Sequence, residues 1–311
     1  MSDDPFEAAR PRLLGIAYRM LGSRAEAEDV VGDVAVRWTS ADRATIREPE
    51  AWLVTVTTRR ALDVLRSARV QREEYPGIWL PEPIATDADP GLDVERRESL
   101  TMGFLLLLER LTPIERAVFV LHDVLEHPYE LVAEAVGRTQ DACRQALSRA
   151  RKHVTLPVRR TPAERQQAEE VAARFMTVGI GGDIDALLAA LSPDVVVTSD
   201  GGGVARAAIR PVVGPERVAR FLANLGTRIG PDPLVVPCEI NGRPGAVVSI
   251  PDGWSALSVD TEGDVVTAVH IVANPAKLER LVASLGPATA GRPGVWEGVR
   301  PFRHRGGQPV R

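Results

Sequence analysis

Residues 128–154, PYELVAEAVGRTQDACRQALSRARKHV, hold the most specific pattern in the chain, two short amphipathic helices joined at Gly137-Arg138-Thr139. Leu131, Val132, Ala135 and Val136 recur at helical spacing and face inward from the first helix. Gly137 allows the turn, and Thr139, short and polar, is placed to cap the second helix. There Cys143, Leu147, Ala150 and Val154 form the buried stripe. The outward positions are then Asp141, Arg144, Gln145, Ser148, Arg149, Arg151 and Lys152, side chains that reach base edges or phosphates when a helix lies in a major groove. A plain solvated arginine-rich face looks the same, so the rest of the chain has to decide.

A second basic helix tips the balance toward DNA. In TTRRALDVLRSARV, residues 57–70, Arg59, Asp63 and Arg66 share one helix face, with Arg60 and Arg69 adding charge, while Leu53, Val56, Ala61, Val64 and Leu65 serve the core. Upstream, Ala27, Val30, Val31, Val34 and Trp38 define another buried helical face, and Pro49 marks a fresh helix start. Asp29 and Asp33 lie one turn apart on the exposed side of that helix, a position that solubility alone would also explain.

Charge is segregated along the chain although the formal net charge is only -4. Five arginines against Asp63 make residues 59–72 net +4, and six arginines with Lys152 against Asp141 make 138–160 net +6. Between them, residues 73–98 carry eight acids against Arg96 and Arg97, a net of -6, with four prolines, and read as a linker with little regular structure. It has two readings, a solvated tether and an anionic strand that keeps basic surfaces off DNA, and both together are expected.

After residue 163 the texture changes. A helical opening at 168–178 gives way to β-branched runs at 195–197, 246–250 and 265–269, separated by turn signals at Asp200-Gly201, Pro251-Asp252-Gly253 and Glu262-Gly263-Asp264. These imply an α+β domain with a curved, mostly antiparallel sheet. Residues 286–311, rich in Gly, Pro and Arg, read as a disordered tail. At 311 residues and 44% hydrophobic content the chain has room for two or three domains. No apolar run approaches the roughly 20 residues that span a bilayer, and the acidic MSDDPFEAAR start is unlike a signal sequence. Cys143 and Cys238 fit no metal spacing, so free thiols in the cytoplasm are expected, with no metal or cofactor.

The stretches AEAEDVVGDVAVRW (25–38), WLVTVTTRRALDVLR (52–66) and LERLTPIERAVFVLHDVLEHPYELVAEAVGRTQDACRQALSRARKHV (108–154) resemble regions 2 and 4 of extracytoplasmic-function (ECF) sigma factors. The resemblance implies an all-α region 2 domain over 1–72, the acidic linker over 73–98, and an all-α helix-turn-helix region 4 domain over 99–160. It implies that core RNA polymerase is met through Asp29, Asp33 and Arg37. It implies further that Arg59, Arg60, Asp63, Arg66 and Arg69 act at the minus 10 element, and that Thr139, Asp141, Arg144, Gln145, Ser148, Arg149, Arg151 and Lys152 act at minus 35. Gly32 stands where the family commonly has glutamine.

Residues 164–285 resemble the SnoaL-like, NTF2-type cone fold that one ECF subgroup carries as an extension. Three short signatures of that subgroup are present: Trp79-Leu80-Pro81-Glu82-Pro83, Asp200-Gly201-Gly202-Gly203 and Asn274-Pro275-Ala276-Lys277-Leu278. The resemblance implies that the extension regulates the sigma regions with the linker as the joint; by residue pattern alone, DGGG is equally a hairpin turn and NPAKL a helix start. A small ligand in the cone is a further expectation. Two rivals stand beside this reading. One is a stand-alone operator-binding regulator. The other is a DNA reader fused to a catalytic cone in which Asp200 and His270 pair, although no nucleophile-base motif, metal spacing or phosphate loop accompanies them.

Overall fold

The computed structural model describes residues 4–86, 98–158, 160–181, 183–229, 233–251 and 253–286. Two compact units emerge, Met1–Glu74 with Asp89–Arg159, and Tyr75–Ala88 with Arg160–Arg311.

The first unit is helical. Asp4 caps α1 (Pro5–Leu21) by accepting from Phe6 N at 2.9 Å, and also takes the Trp38 indole N–H at 2.8 Å, so one carboxylate ties the start of α1 to α2 (Arg24–Ser40). Gly22, with φ 67°, ends α1 in the left-handed conformation that glycine adopts without strain. The long α3 (Pro49–Glu73) follows, then a short turn at 98–100, α4 (Met102–Leu108) and α5 (Pro113–Phe119). A capping box between Thr112 and Glu115 opens α5. After a π turn come α6 (Tyr129–Val136) and α7 (Gln140–Ala150).

Buried arginines stitch these helices together. Arg19, 1% exposed, donates to Ser99 Oγ and to Gly15 O, and a Cβ on Gly15 would sit 2.8 Å from its guanidinium. Arg116, 2% exposed, donates to Leu108 O, Met20 O and Glu109, while Arg72 grips both Glu109 oxygens at 2.8 Å. Burial pushes the Glu109 carboxyl up, but Arg116 and Arg72 outweigh it and hold the group below the usual carboxylate range.

The second unit is a six-stranded sheet in the order β2-β1-β6-β5-β4-β3, comprising β1 (Leu191–Asp200), β2 (Val212–Val213), β3 (Val235–Ile240), β4 (Arg243–Ile250), β5 (Gly253–Glu262) and β6 (Val265–Val272). Only the β1–β6 pairing is parallel. Helices α8 (Pro162–Gly181), α9 (Ile184–Ala190) and α10 (Pro215–Gly226) bring Phe175, Leu187 and Leu222 onto Val195, Val197, Val259 and Ile271, and α11 (Pro275–Ser284) closes the unit. This is the mostly antiparallel α+β domain expected from the β-branched runs.

The linker departs from the expectation of a tether solvated over 73–98. Residues 80–86 are buried, because Leu80, Ile84 and Ala85 are drawn out of water while the backbone finds partners on the second unit. Ala85 bridges Ile240 on the edge strand β3; Thr86 N donates to Glu239 O at 2.9 Å and Asn241 N to Ile84 O at 2.9 Å. An edge that would otherwise offer free backbone groups is partly covered. Residues 87–97, and the proposed tail beyond Gly286, lie outside the described residues.

Candidate functional site

In the helix-turn-helix, Gly137 takes φ 64° at the end of α6 and Thr139 accepts from Ala142 N at 3.2 Å, starting α7. Cys143, Ala146, Leu147, Ala150 and Val154 are buried, and burial raises the Cys143 thiol above its ordinary value. Asp141, Arg144, Gln145, Ser148 and Arg149 stand exposed on the other face. Arg151 and Lys152 are exposed too but lie beyond the end of α7 at Ala150.

The arginines differ in how they are held. Arg144 bonds Asp141 at 2.7 Å and Gln140 at 3.1 Å and lies 4.9 Å above the Tyr129 ring, which stacks on His122. Arg149 points back to Glu115 at 2.6 Å, and Arg151 forms a two-pronged pair with Asp123 at 2.7 and 2.8 Å. Arg149 and Arg151 therefore brace α7 against the preceding helices, a role the residue pattern did not signal. Tyr129 and His122, beneath Arg144, were likewise missed.

On α3, Arg59, Asp63 and Arg66 are exposed together; Arg59 donates to Glu134 O of α6 at 2.8 Å, and Arg66 pairs with Asp63 at 3.3 Å. The Arg69 side chain lies outside what is described. Leu53, Ala61 and Leu65 are buried as the pattern requires, whereas Val56 and Val64 are half-buried. Asp29, Asp33 and Arg37 line the outer face of α2, beside Val36, which is 66% exposed. Arg60 reaches Asp33 at 2.6 Å, linking residues expected in two separate roles. A Cβ on Gly32 would meet nothing within 4 Å, so packing does not demand glycine there.

The three short signatures converge within the second unit. The Asp200 carboxylate, wholly buried, accepts from Tyr75 OH at 2.6 Å, Leu80 N at 2.9 Å, Gly202 N at 2.9 Å and Lys277 Nζ at 2.7 Å. Lys277 also donates to Leu80 O, and its ammonium sits 4.2 Å from the Trp79 ring centre and 5.0 Å from that of Tyr75. Asn274 caps α11 through Ala276 N and gives its amide to Tyr75 OH at 2.8 Å; Pro275 takes the first turn and Leu278 is fully buried. Burial, then the Asp200 charge, raises the Tyr75 phenol.

The glycines are there for room. A Cβ on Gly201 would lie 2.2 Å from Ala205 O, while Gly202 (φ 62°) faces Asn274 and Gly203 (φ 72°) faces Pro76 at 2.7 Å. Pro81 and Pro83 are buried, and Glu82, also buried, has Arg280 at 3.9 Å. Tyr75 was missed by sequence reasoning, although it is one of only three tyrosines in the chain, so its place inside an acidic linker was a signal.

The cone holds a small cavity of about 60 Å³ lined solely by apolar side chains and glycine, among them Phe175, Met176, Leu222, Val235, Val248 and Leu257. Neither Asp200 nor His270 lines it, and the two do not pair. His270 instead bonds Thr198 Oγ1 at 2.7 Å and Asp260 at 3.2 Å, and Arg243 holds Asp260 at 2.8 Å. Burial pushes the Asp260 carboxyl up, yet His270 and Arg243 outweigh it and bring it down to about 2. Among the described residues there is no His, Cys, Asp and Glu cluster fit for a metal, and no helix long and apolar enough to cross a membrane.

Comparison with known proteins agrees with this geometry. The Sigma-70 region 2 family matches residues 6–70, and the Sigma-70, region 4 family residues 101–154. ECF RNA polymerase sigma factor SigJ of Mycobacterium tuberculosis is 40% identical over 291 residues, covering 89% of this chain and 93% of its own. A probable ECF RNA polymerase sigma factor, SigI, of the same species is 31% identical, covering 91% and 98%. The crystal structure of M. tuberculosis SigJ superposes with a TM-score of 0.73 at 35% identity over 88% of this chain and 97% of that one. The likeness runs through both compact units, and the chain belongs to the ECF RNA polymerase sigma factor family.

Proposed function

We propose that this protein engages core RNA polymerase, directs it to promoter DNA, and is regulated by its own second unit acting through residues 75–86. In this reading the outer face of α2, with Asp29, Asp33, Arg37 and the exposed Val36, meets polymerase. The basic face of α3 acts at minus 10, and α7 with Arg144 and Gln145 acts at minus 35, where Arg149 and Arg151 fix the pose of α7. The observation that carries it is the pair of exposed basic helix faces falling within the two sigma-region matches.

Each basic face alone gives only salt-sensitive, weakly selective binding. Mounting both on polymerase adds affinity through effective concentration. For regulation, the support is the dock itself: three signatures and Tyr75 close around one buried carboxylate, fixing the segment that joins the two sigma regions in sequence.

Run-off transcription with purified core polymerase tests the function. The full chain should give discrete promoter-dependent transcripts, and a chain that neither bound core nor started RNA synthesis would overturn the reading. A chain carrying Asp200→Ala should change transcript yield while leaving core binding intact; unchanged yield would remove the regulatory part.

A further inference from the structure

The second unit bears a basic surface outside its apolar core. Residues 206–228 contain Arg206, Arg210, Arg217, Arg220 and Arg228 against Glu216 alone, in a chain whose formal net charge is -4. All five arginines are exposed. Three of them belong to one row. On α10 the core side is Val218, Ala219, Leu222 and Ala223, and the helical repeat puts Arg217, Arg220 and Asn224 opposite, with Arg228 continuing the row just past the helix end. At 1.5 Å rise per residue the row is about 16 Å long, enough to face several phosphates. Glu216, the one acid, reaches Arg220 only at 3.8 Å with both side chains largely in water, which neutralises little.

We infer that this α10 face contacts the phosphate backbone of promoter DNA lying beyond the element bound by α7. The inference rests on the promoter-binding function proposed above. Charge complementarity argues for a polyanion, and the amide of Asn224, between the arginines, is a donor suited to phosphate rather than an apolar anchor suited to a protein hot spot. The chain also limits where the face can be. Seven residues, 155–161, separate Val154 from the start of α8, and seven extended residues span at most about 25 Å. When α7 sits in its groove, the second unit is held beside the same duplex, where a weak phosphate contact acts at high effective concentration.

The test uses the full chain with core polymerase on two duplexes, one ending at the upstream edge of the minus 35 element and one extended upstream. On the long duplex the wild type should show a steeper fall of log K with log salt than on the short one, by about 0.9 for each phosphate neutralised. Arg217→Gln, Arg220→Gln and Arg228→Gln together should erase that difference and leave the short duplex unchanged, and the three corresponding lysine substitutions should restore it. Equal slopes for wild type and variant on the long duplex would overturn the inference. So would an equal loss on both duplexes, which would place the acidic partner on polymerase. Wild-type binding to the short duplex checks the promoter-binding function separately, so its failure is distinguishable from failure of the upstream contact.

Discussion

Asp200 shows how much can rest on one side chain. Its two oxygens take four donors with no water contact, and Lys277 has its charge matched there inside an aromatic cage. Asp200→Ala leaves that ammonium buried without its counter-charge, an imbalance that costs about 3–5 kcal/mol. Hydrogen exchange should show amides of residues 78–86 losing protection while the β5–β6 pairing keeps its own. Asp260 makes a different prediction. Its folded pKa, about 2, lies below its ordinary 3.8, so the pairing with Arg243 and His270 stabilises the fold above pH 4 and that contribution disappears as pH falls through about 2. The difference is worth about 2 kcal/mol, and Asp260→Asn should flatten the acid limb of a denaturation-versus-pH curve over that interval. Neither role was legible from residue patterns. Asp200 stood out by its glycine neighbours and as a candidate partner of His270, and Asp260 pairs with groups in two other strands, β4 and β6, that no local periodicity connects.

Helix α7 was largely legible, because its cap, turn and buried stripe are local features spaced by the helical repeat. What sequence could not say is which arginines are spoken for, since Glu115 and Asp123 lie 34 and 28 residues away from Arg149 and Arg151. The distinction has a measurable outcome. Arg144→Ala should weaken promoter use with little change in melting temperature, whereas Arg149→Ala should lower both, because it also removes the cation paired with Glu115. Thr139→Ala removes the cap and should cost about 1 kcal/mol, seen as a shift in denaturation midpoint. The linker was legible as irregular chain, and the Trp79–Pro83 signature marked a joint in it, but burial of the whole run 80–86 was not legible. Acid and proline content sets the irregularity, and the burial depends on an edge strand, β3, that ends about 150 residues later.

At the scale of the molecule, the first unit faces a problem of distance. Elements centred about 25 base pairs apart are separated by about 85 Å of duplex, while a compact body of some 145 residues is only about 40 Å across. The two basic helices cannot reach the two elements proposed for them while Arg59 bonds α6 and Glu109 bridges Arg72 and Arg116. Glu109→Gln leaves two buried guanidinium groups undercompensated and should loosen this unit, visible by small-angle scattering as a larger radius of gyration at temperatures where helix content is unchanged. The change in texture after residue 163 falls close to the return to the second unit at Arg160, whereas the two helical domains expected over 1–72 and 99–160 form one compact unit. A joint between linker and extension was expected at Trp79–Pro83 from the resemblance, but the part played by Tyr75 was not, because it depends on a contact 199 residues distant.

That span also sets an order of events during synthesis. Tyr75 leaves the ribosome long before Asn274, its partner 199 residues on, and at 5–20 residues per second the wait is about 10–40 s. Both sigma regions are finished by residue 154, while Leu80 and Ile84 still have nowhere to go. Each newborn molecule therefore passes through a brief adolescence, in which its two sigma regions are complete before the sheet that receives residues 75–86 has been made.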